Sequence, residues 1–372
     1  MNQAAAANNR ATNTAESDTA TGSNRATGTI THRLLWPALI GSCLLASLLA
    51  LGWGPVSVSV GELVNSLAAM LSGEAIQNPN DWIVRELRLP RVLLALMIGA
   101  GLAVAGVLTQ GVFRNPLADP GLIGVASGAA LAAVAVIVLS DSVLGFWREL
   151  AGPLALPIAA FGGGLLVTWL MYRLGTHGGQ THVATLLLAG VAINVITGAG
   201  TGVLTYLADD QELRSMTFWS MGSLAHGRWP ELAALAVCVL MPLIWVMRYS
   251  RALNALLLGE QVAGHLGIEV QPLKRWSLAA AALMVGAGVA VAGVIGFIGL
   301  VVPHLLRLLI GPDHRQLLPA SALAGGLLLL IADTLARNLI PPAELPVGLL
   351  MALIGGPIFL IMLLQGKRGI AG

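Results

Sequence analysis

From residue 34 onward the chain is a succession of long apolar runs separated by short polar breaks, without the strict alternation that marks half-buried strands. A helix needs about 20 apolar residues to cross a hydrocarbon core. On that criterion ten spans are predicted, near 34–53, 90–110, 120–140, 153–173, 183–207, 230–248, 276–296, 299–310, 317–338 and 347–364. The eighth is short enough to be a half-span held inside the bundle. Residues 1–31 break the pattern. They are Ala, Thr, Asn and Ser with almost no apolar bulk, too little to offset the entropy of ordering, so a disordered tail is expected ahead of one membrane domain over 32–372.

The polar breaks orient the spans. With the N-terminus in the cytosol, 13 of the 20 basic residues fall on the cytosolic side, among them Arg114, Arg173, Arg248, Arg251, Lys274, Arg275 and Arg315. Positive charge gathers on the cytosolic side of membrane proteins, so both termini are placed there. Arg85, Arg88 and Arg91 run against the rule. The pattern also repeats: Gly99–Val107 returns as Gly286–Val294 with eight of nine residues identical, and the Pro, Ala, Gly-Gly-Leu-Leu spacing of 157–166 returns at 319–328. Five spans separate the related helices, an odd number that inverts topology. Two inverted five-helix repeats are a transporter signature. Gly124-x-x-x-Gly128 and Gly198-x-x-x-Gly202 read as places where helices approach closely.

One break carries a pattern of its own. Between the sixth and seventh spans, within a cytosolic loop over about 250–275, Leu258, Val262 and Leu266 recur at i, i+4 and i+8 and are bounded by Gly259 and Gly267. That is an apolar stripe on a short helix, which lipid, the protein's own core or a partner must cover.

Composition sharpens the class. Hydrophobic residues make up 56% of 372 and charged residues 10%, against about 25% charged in ordinary soluble domains. Mean hydropathy is +0.81. A water-soluble globule and a nucleic-acid binder are excluded, and a net charge of +2 points to no acidic partner. Cys43 and Cys238 lie in separate apolar runs, and the seven histidines fall into no metal-ligand spacing. No catalytic constellation, metal site or phosphate-binding loop is present, so uphill transport would need an ion gradient or an ATP-hydrolysing partner. Asp333, one helical turn before Arg337, is the clear ionisable residue within a span. It reads either as half of a structural i,i+4 pair or as the coupling site of an ion-driven secondary transporter. Asn194 in the fifth span reads as an interhelical hydrogen bond or as part of a substrate path.

Several motifs together carry a resemblance: Arg88-Leu-Pro-Arg91, Arg114-Asn-Pro-Leu-Ala-Asp-Pro-Gly-Leu-Ile-Gly124, Leu186-Leu-Leu-Ala-Gly190, Gly296-Phe-Ile-Gly-Leu-Val-Val-Pro-His304, Asp313-His-Arg315, Ala332-Asp-Thr-Leu-Ala-Arg337 and Ala343-Glu-Leu-Pro-Val-Gly348. Nearly the whole chain after residue 32 resembles the permease family of ABC importers for ferric siderophores, haem and vitamin B12. The resemblance implies an all-α bundle of ten transmembrane helices forming a homodimer in the bacterial inner membrane. It further implies two cytosolic ATPases that carry the ATP and Mg, and a periplasmic binding protein. The permease itself binds no cofactor.

By the same resemblance, Leu258, Gly259, Glu260, Val262, Ala263, Leu266 and Gly267 form the coupling helix that rests in a groove of the ATPase. Arg88, Arg91 and Arg337 face the periplasm and pair with glutamates of the binding protein. Val183 and Ala184 form the inner gate, with Asn194 and Thr197 as candidates for the lining of the path. The segments 120–128 and 343–348 look most like haem-type members, which makes haem the expected cargo, with ferric siderophores and cobalamin as alternatives.

Overall fold

A computed structural model describes residues 34–368, apart from 77, 141, 341 and 342. The 1–31 tail lies outside the described residues. The architecture is an all-helical bundle plus one two-stranded hairpin, β1 (Thr176–His177) and β2 (Gln180–Thr181). Besides a seven-residue helix at Gly145–Ala151, the helices are α1 (Leu34–Gly52), α2 (Val60–Leu71), α3 (Pro79–Phe113), α4 (Val125–Leu139), α5 (Ala155–Gly175) and α6 (Val183–Leu207). There follow α7 (Asp210–Ser220), α8 (Trp229–Arg248), α9 (Ser250–Leu257), α10 (Glu260–His265), α11 (Val270–Ala292), α12 (Ile298–Ile310), α13 (His314–Ala336) and α14 (Val347–Arg368).

A helix occupies each of the ten apolar segments, and among the described residues eight helices are long and apolar enough to cross a membrane. The two shorter ones are α4 and α12, of 15 and 13 residues. The third span was expected from residue 120. It starts later because Pro120–Ile123 form a 3-10 turn, capped by Asp119 and stopped by Gly124 at φ 75°. The second was expected from residue 90, yet α3 begins eleven residues earlier at Pro79. Pro90 has no N–H to give to Glu86, and a π-helical stretch over Ile83–Arg88 absorbs that mismatch without ending the helix.

α3 is the centre of the bundle, buried almost continuously from Val92 to Phe113. Lipid tails give no hydrophobic reason for helices to associate, so close packing must hold them together. Glycines provide it. A Cβ at Gly99 would overlap the carbonyl of Gly325 on α13, and one at Gly106 would overlap Gly299 on α12. Gly128 of α4 meets Gly163 of α5 in the same way. Gly198 and Gly202, expected to pack, meet nothing within 4 Å in this chain and lie on the exposed face of α6.

Candidate coupling, gate and docking sites

The predicted site residues fall at three places. At one end of the bundle α8 runs out at Arg248, and α9 turns the chain across the end of the core with Leu253 and Leu256 buried. Asn254 fastens α9 to the start of α13. Its amide donates to Asp313 Oδ1 at 2.6 Å, and its carbonyl oxygen accepts from the His314 backbone N–H at 2.8 Å. Burial alone would raise the Asp313 pKa. Hydrogen bonds from Asn254, the Arg315 backbone and the Arg315 side chain outweigh it and hold the carboxyl at about 2.

Beyond Leu258 the chain reverses through Gly259 at φ 112° into α10, and leaves it through Gly267 at φ 81°. Both angles lie in the region that favours glycine, so these two residues bound the helix sterically. Ala263 is fully buried and seals α10 to the core, whereas Leu258, Val262 and Leu266 are 66%, 43% and 61% exposed. The predicted apolar stripe therefore faces away from the protein. Glu260 turns inward and accepts a short charge-assisted hydrogen bond from Lys274, whose side chain is fully buried. Lys274 also donates to the Thr181 carbonyl at 3.2 Å, and the Thr181 N–H donates to Gln271 at 2.9 Å.

Thr181 ends the hairpin that leads directly into Val183 and Ala184. α10 and the hairpin ahead of α6 thus share one buried cation, beside a cleft of about 420 Å³ lined by Arg114, Thr181, Val183, Glu260 and Gln271. The sequence reading placed Lys274 only among the cytosolic basic residues. Its signal was there: a cation inside the second turn of an apolar helix needs a partner.

On α6, Val183 is half-buried and Ala184 exposed. Asn194 and Thr197 turn away from the exposed face. Asn194 accepts a hydrogen bond from Ser127 of α4 at 2.5 Å. Thr197 is buried, and its hydroxyl donates to Ile193 O of its own helix at 2.9 Å. The interhelical reading of Asn194 therefore fits the geometry, while neither residue lines an open path in the single chain. What α6 presents outward is apolar: Leu188, Val191, Val195 and Ile196 are each more than half exposed.

The three arginines gather at the opposite end, where α1 ends, α3 begins and α13 ends. Docking was expected to use exposed guanidinium groups, but Arg88 and Arg337 are buried. Arg88 donates to the carbonyls of Leu51 at 2.6 Å and Gly52 at 3.0 Å and, by a short bond, to Val56, holding the turn after α1. Arg337 donates to Ala50 O. The carbonyls of Ala50, Leu51 and Gly52 are unpaired C-terminal groups of α1, so a cation there satisfies the helix end.

Arg91 comes nearest the surface, and it is fully engaged. It pairs with Asp333 at 2.9 Å and with Glu344 at 2.9 Å. Asp333 therefore answers Arg91 on α3, rather than Arg337 one turn along its own helix. Glu344 had no assigned role in the sequence reading, since 253 residues separate it from Arg91. Among the described residues no His, Cys, Asp and Glu gather into a metal-binding group.

The FecCD transport family model matches residues 42–365. The hemin transport system permease protein of Yersinia pestis is 46% identical over 340 residues, covering 90% of this chain and 98% of that protein. A cobalamin import system permease of Halobacterium salinarum is 44% identical over 281 residues, 76% of this chain and 73% of its own. A vitamin B12 import system permease of Salmonella paratyphi A is 39% identical, covering 84% and 95%. A solved structure of a metal-chelate type ABC transporter in an inward-facing conformation superposes with a TM-score of 0.74 at 33% identity, over 90% of this chain and 99% of that one.

Proposed function

Since the chain belongs to the FecCD transport family and is a multi-pass permease subunit of an ABC importer, not an enzyme, we propose that it conducts haem across the bacterial inner membrane. The cargo reading rests on the 46% identity to a hemin permease along nearly that protein's full length. Ferric siderophore and cobalamin are the alternatives, the latter because cobalamin permeases follow at 44% and 39%. Membership in an ABC family sets aside the ion-driven carrier, and the Arg91–Asp333 pair gives the intramembrane carboxylate a structural task.

In the proposed assembly two copies meet along α6, two cytosolic ATPases hold the ATP and Mg, and a periplasmic protein delivers cargo. Both termini are then cytosolic, and ten helices cross the membrane, α4 and α12 as short spans. Support for two inverted repeats comes from cross-packing of the repeated segments. Gly99 meets Gly325, and the residue matching Gly99, Gly286, would meet Phe161 at 3.4 Å in the segment matching 319–328.

The observation that carries the coupling mechanism is the outward stripe of Leu258, Val262 and Leu266 on a helix whose other side is bonded through Glu260 and Lys274 to the hairpin before Val183. Movement of the ATPase groove would press on the stripe, and the buried lysine would carry the displacement to the gate at Val183 and Ala184. At the far end, Arg88 and Arg337 would fix the turn after α1, so that Arg91 and Glu344 lie at a surface shaped for the binding protein. A mostly apolar lining on α6 suits a cavity that releases cargo rather than holding it.

The test is uptake into proteoliposomes containing this permease and its ATPase, with binding protein supplied on the periplasmic face. Haem accumulating only with ATP is the expected result. Accumulation of cobalamin or a ferric siderophore instead would overturn the cargo, and uptake driven by an ion gradient would overturn the mechanism.

A further inference from the structure

Away from α6, the helices α5, α8 and α11 leave a groove of about 1050 Å³ between them that reaches towards the α10 end of the bundle. It lies within the apolar part of the bundle and is lined by apolar and aromatic side chains. Phe161 stands at one limit and Arg173 at the other. Twelve residues of helix at about 1.5 Å each span roughly 18 Å, a little over half of a hydrocarbon core about 30 Å thick. The groove is thus the depth of one leaflet, the length of a lipid acyl chain and not of a membrane-crossing segment.

Its two limits differ in chemistry. Towards Phe161 the lining is apolar. Towards the coupling-helix end it carries Trp169, Tyr172, Trp245 and Trp276, the amphipathic rings that settle at the headgroup level of a membrane. Two cations stand at that level. The Arg173 guanidinium lies over the Trp169 ring at 5.8 Å, and Arg275 over Trp276 at 5.2 Å. Neither has a carboxylate partner among the described residues, and the groove lining contains no acidic side chain. Of the two hydroxyls in the lining, that of Thr168 is spent on the carbonyls of Ile123 and Gly164, and that of Tyr172 lies in the aromatic belt at the mouth. Between the aromatic belt and Phe161 the groove is therefore apolar, and two positive charges without a carboxylate partner stand at its mouth.

We propose that this groove is a binding site for an anionic phospholipid of the cytosolic leaflet. Its acyl chains lie between α5, α8 and α11, and its phosphate sits between Arg173 and Arg275. Basic pockets between helices on the cytosolic side recognise acidic headgroups, whereas a zwitterionic headgroup would bring its own cation towards two arginines with no carboxylate to receive it. A second copy of the chain is a poor occupant, since a two-fold contact here would oppose like charges. The site is independent of which cargo the permease carries.

The experiment is native mass spectrometry of the full-length protein in mild detergent, titrated with phosphatidylglycerol or phosphatidylcholine of identical acyl chains. Each arginine near a headgroup contributes about a fivefold preference for an acidic lipid. Wild-type protein is expected to retain phosphatidylglycerol at roughly 25-fold lower concentration than phosphatidylcholine. Arg173→Gln with Arg275→Gln should remove that preference, while Arg228→Gln, an exposed arginine away from the groove, should keep it. Ala279→Trp, which fills the groove from an exposed position, should weaken retention of both lipids. Equal retention of the two lipids by wild-type protein would overturn the proposal. So would a preference that survives in the double variant, or in Ala279→Trp with unchanged retention.

Discussion

The glycine contacts at the centre of the bundle set the first test at the scale of single residues. At Gly99 the obstacle to a methyl group is backbone on α13, which cannot rotate aside as a side chain can. Gly99→Ala should lower stability by about 1–3 kcal/mol, the usual cost of overpacking a tight interior. Gly162→Ala, with nothing within 4 Å, should leave the melting temperature in detergent unchanged. Equal behaviour of the two variants would show that the α3–α13 approach is not what holds the core. The Arg91–Asp333 pair gives a second test. Removing Asp333 leaves Arg91 with Glu344, 36% exposed, as its remaining counter-charge, at a cost below the about 3–5 kcal/mol of a buried charge with no partner. Asp333→Asn should thus reduce folded yield while leaving the protein that does fold dependent on ATP. Folded Asp333→Asn protein with its uptake no longer coupled to ATP would contradict the structural role. Asp313 supplies a pH test. Its carboxyl titrates near 2 in the folded protein and near 3.9 when unfolded, so its stabilising effect is complete above about pH 4 and is lost as pH falls through 2. The melting temperature of Asp313→Ala should lie below wild type at pH 7, with the gap closing towards pH 2. A gap constant over that range would remove the ionised carboxylate from the explanation.

At the scale of elements, the proposed coupling role of α10 is tested by two substitutions on opposite sides of that helix. Leu266→Arg changes an exposed residue and leaves the Glu260–Lys274 bond in place. It should cut ATP-driven uptake at least tenfold with little effect on thermal stability, because only the covered stripe is altered. Glu260→Arg places a second cation against a fully buried lysine, so it should lower stability as well as uptake. Similar melting curves for the two variants would contradict the buried contact. The stripe was legible in the sequence because its four-residue period and bounding glycines are local. The lysine's role was not, since its two partners, Glu260 on α10 and the Thr181 carbonyl of the β hairpin, lie 14 and 93 residues away. The same division holds along the chain. Twenty apolar residues announce a span, whereas the early start of α3 depends on a π-helical register that Pro90 conceals. Arg88 and Arg337 were read as outward charges because their motif gives their location but not their direction. The open carbonyls at the end of α1 decide that direction.

At the scale of the whole molecule, several helices present apolar faces without a partner from the chain's own fold, α1, α6 and α14 among them. Leu188, Val191, Val195 and Ile196 on α6 are exposed, and Gly198 and Gly202 beside them meet nothing. Small residues four apart on an exposed membrane helix let two backbones approach closely. The groove between α5, α8 and α11 is equally exposed, but its arginines suit it to lipid and would repel a second copy. The two faces therefore predict different cross-linking. In a background with Cys43 and Cys238 replaced by alanine, a cysteine at Val195 or Ile196 should form a disulfide-linked dimer on mild oxidation in native membranes. A cysteine at Val237, 58% exposed within the groove, should not. Gly198→Leu should weaken the cross-link at Val195 at least severalfold without unfolding the chain, because the added side chain enters open space in one copy and the approach of two. Cross-linking at Val237 and none on α6 would put the dimer at the groove. That outcome would remove the lipid site and the α6 path together, since both require α6 to be the face on which two copies meet.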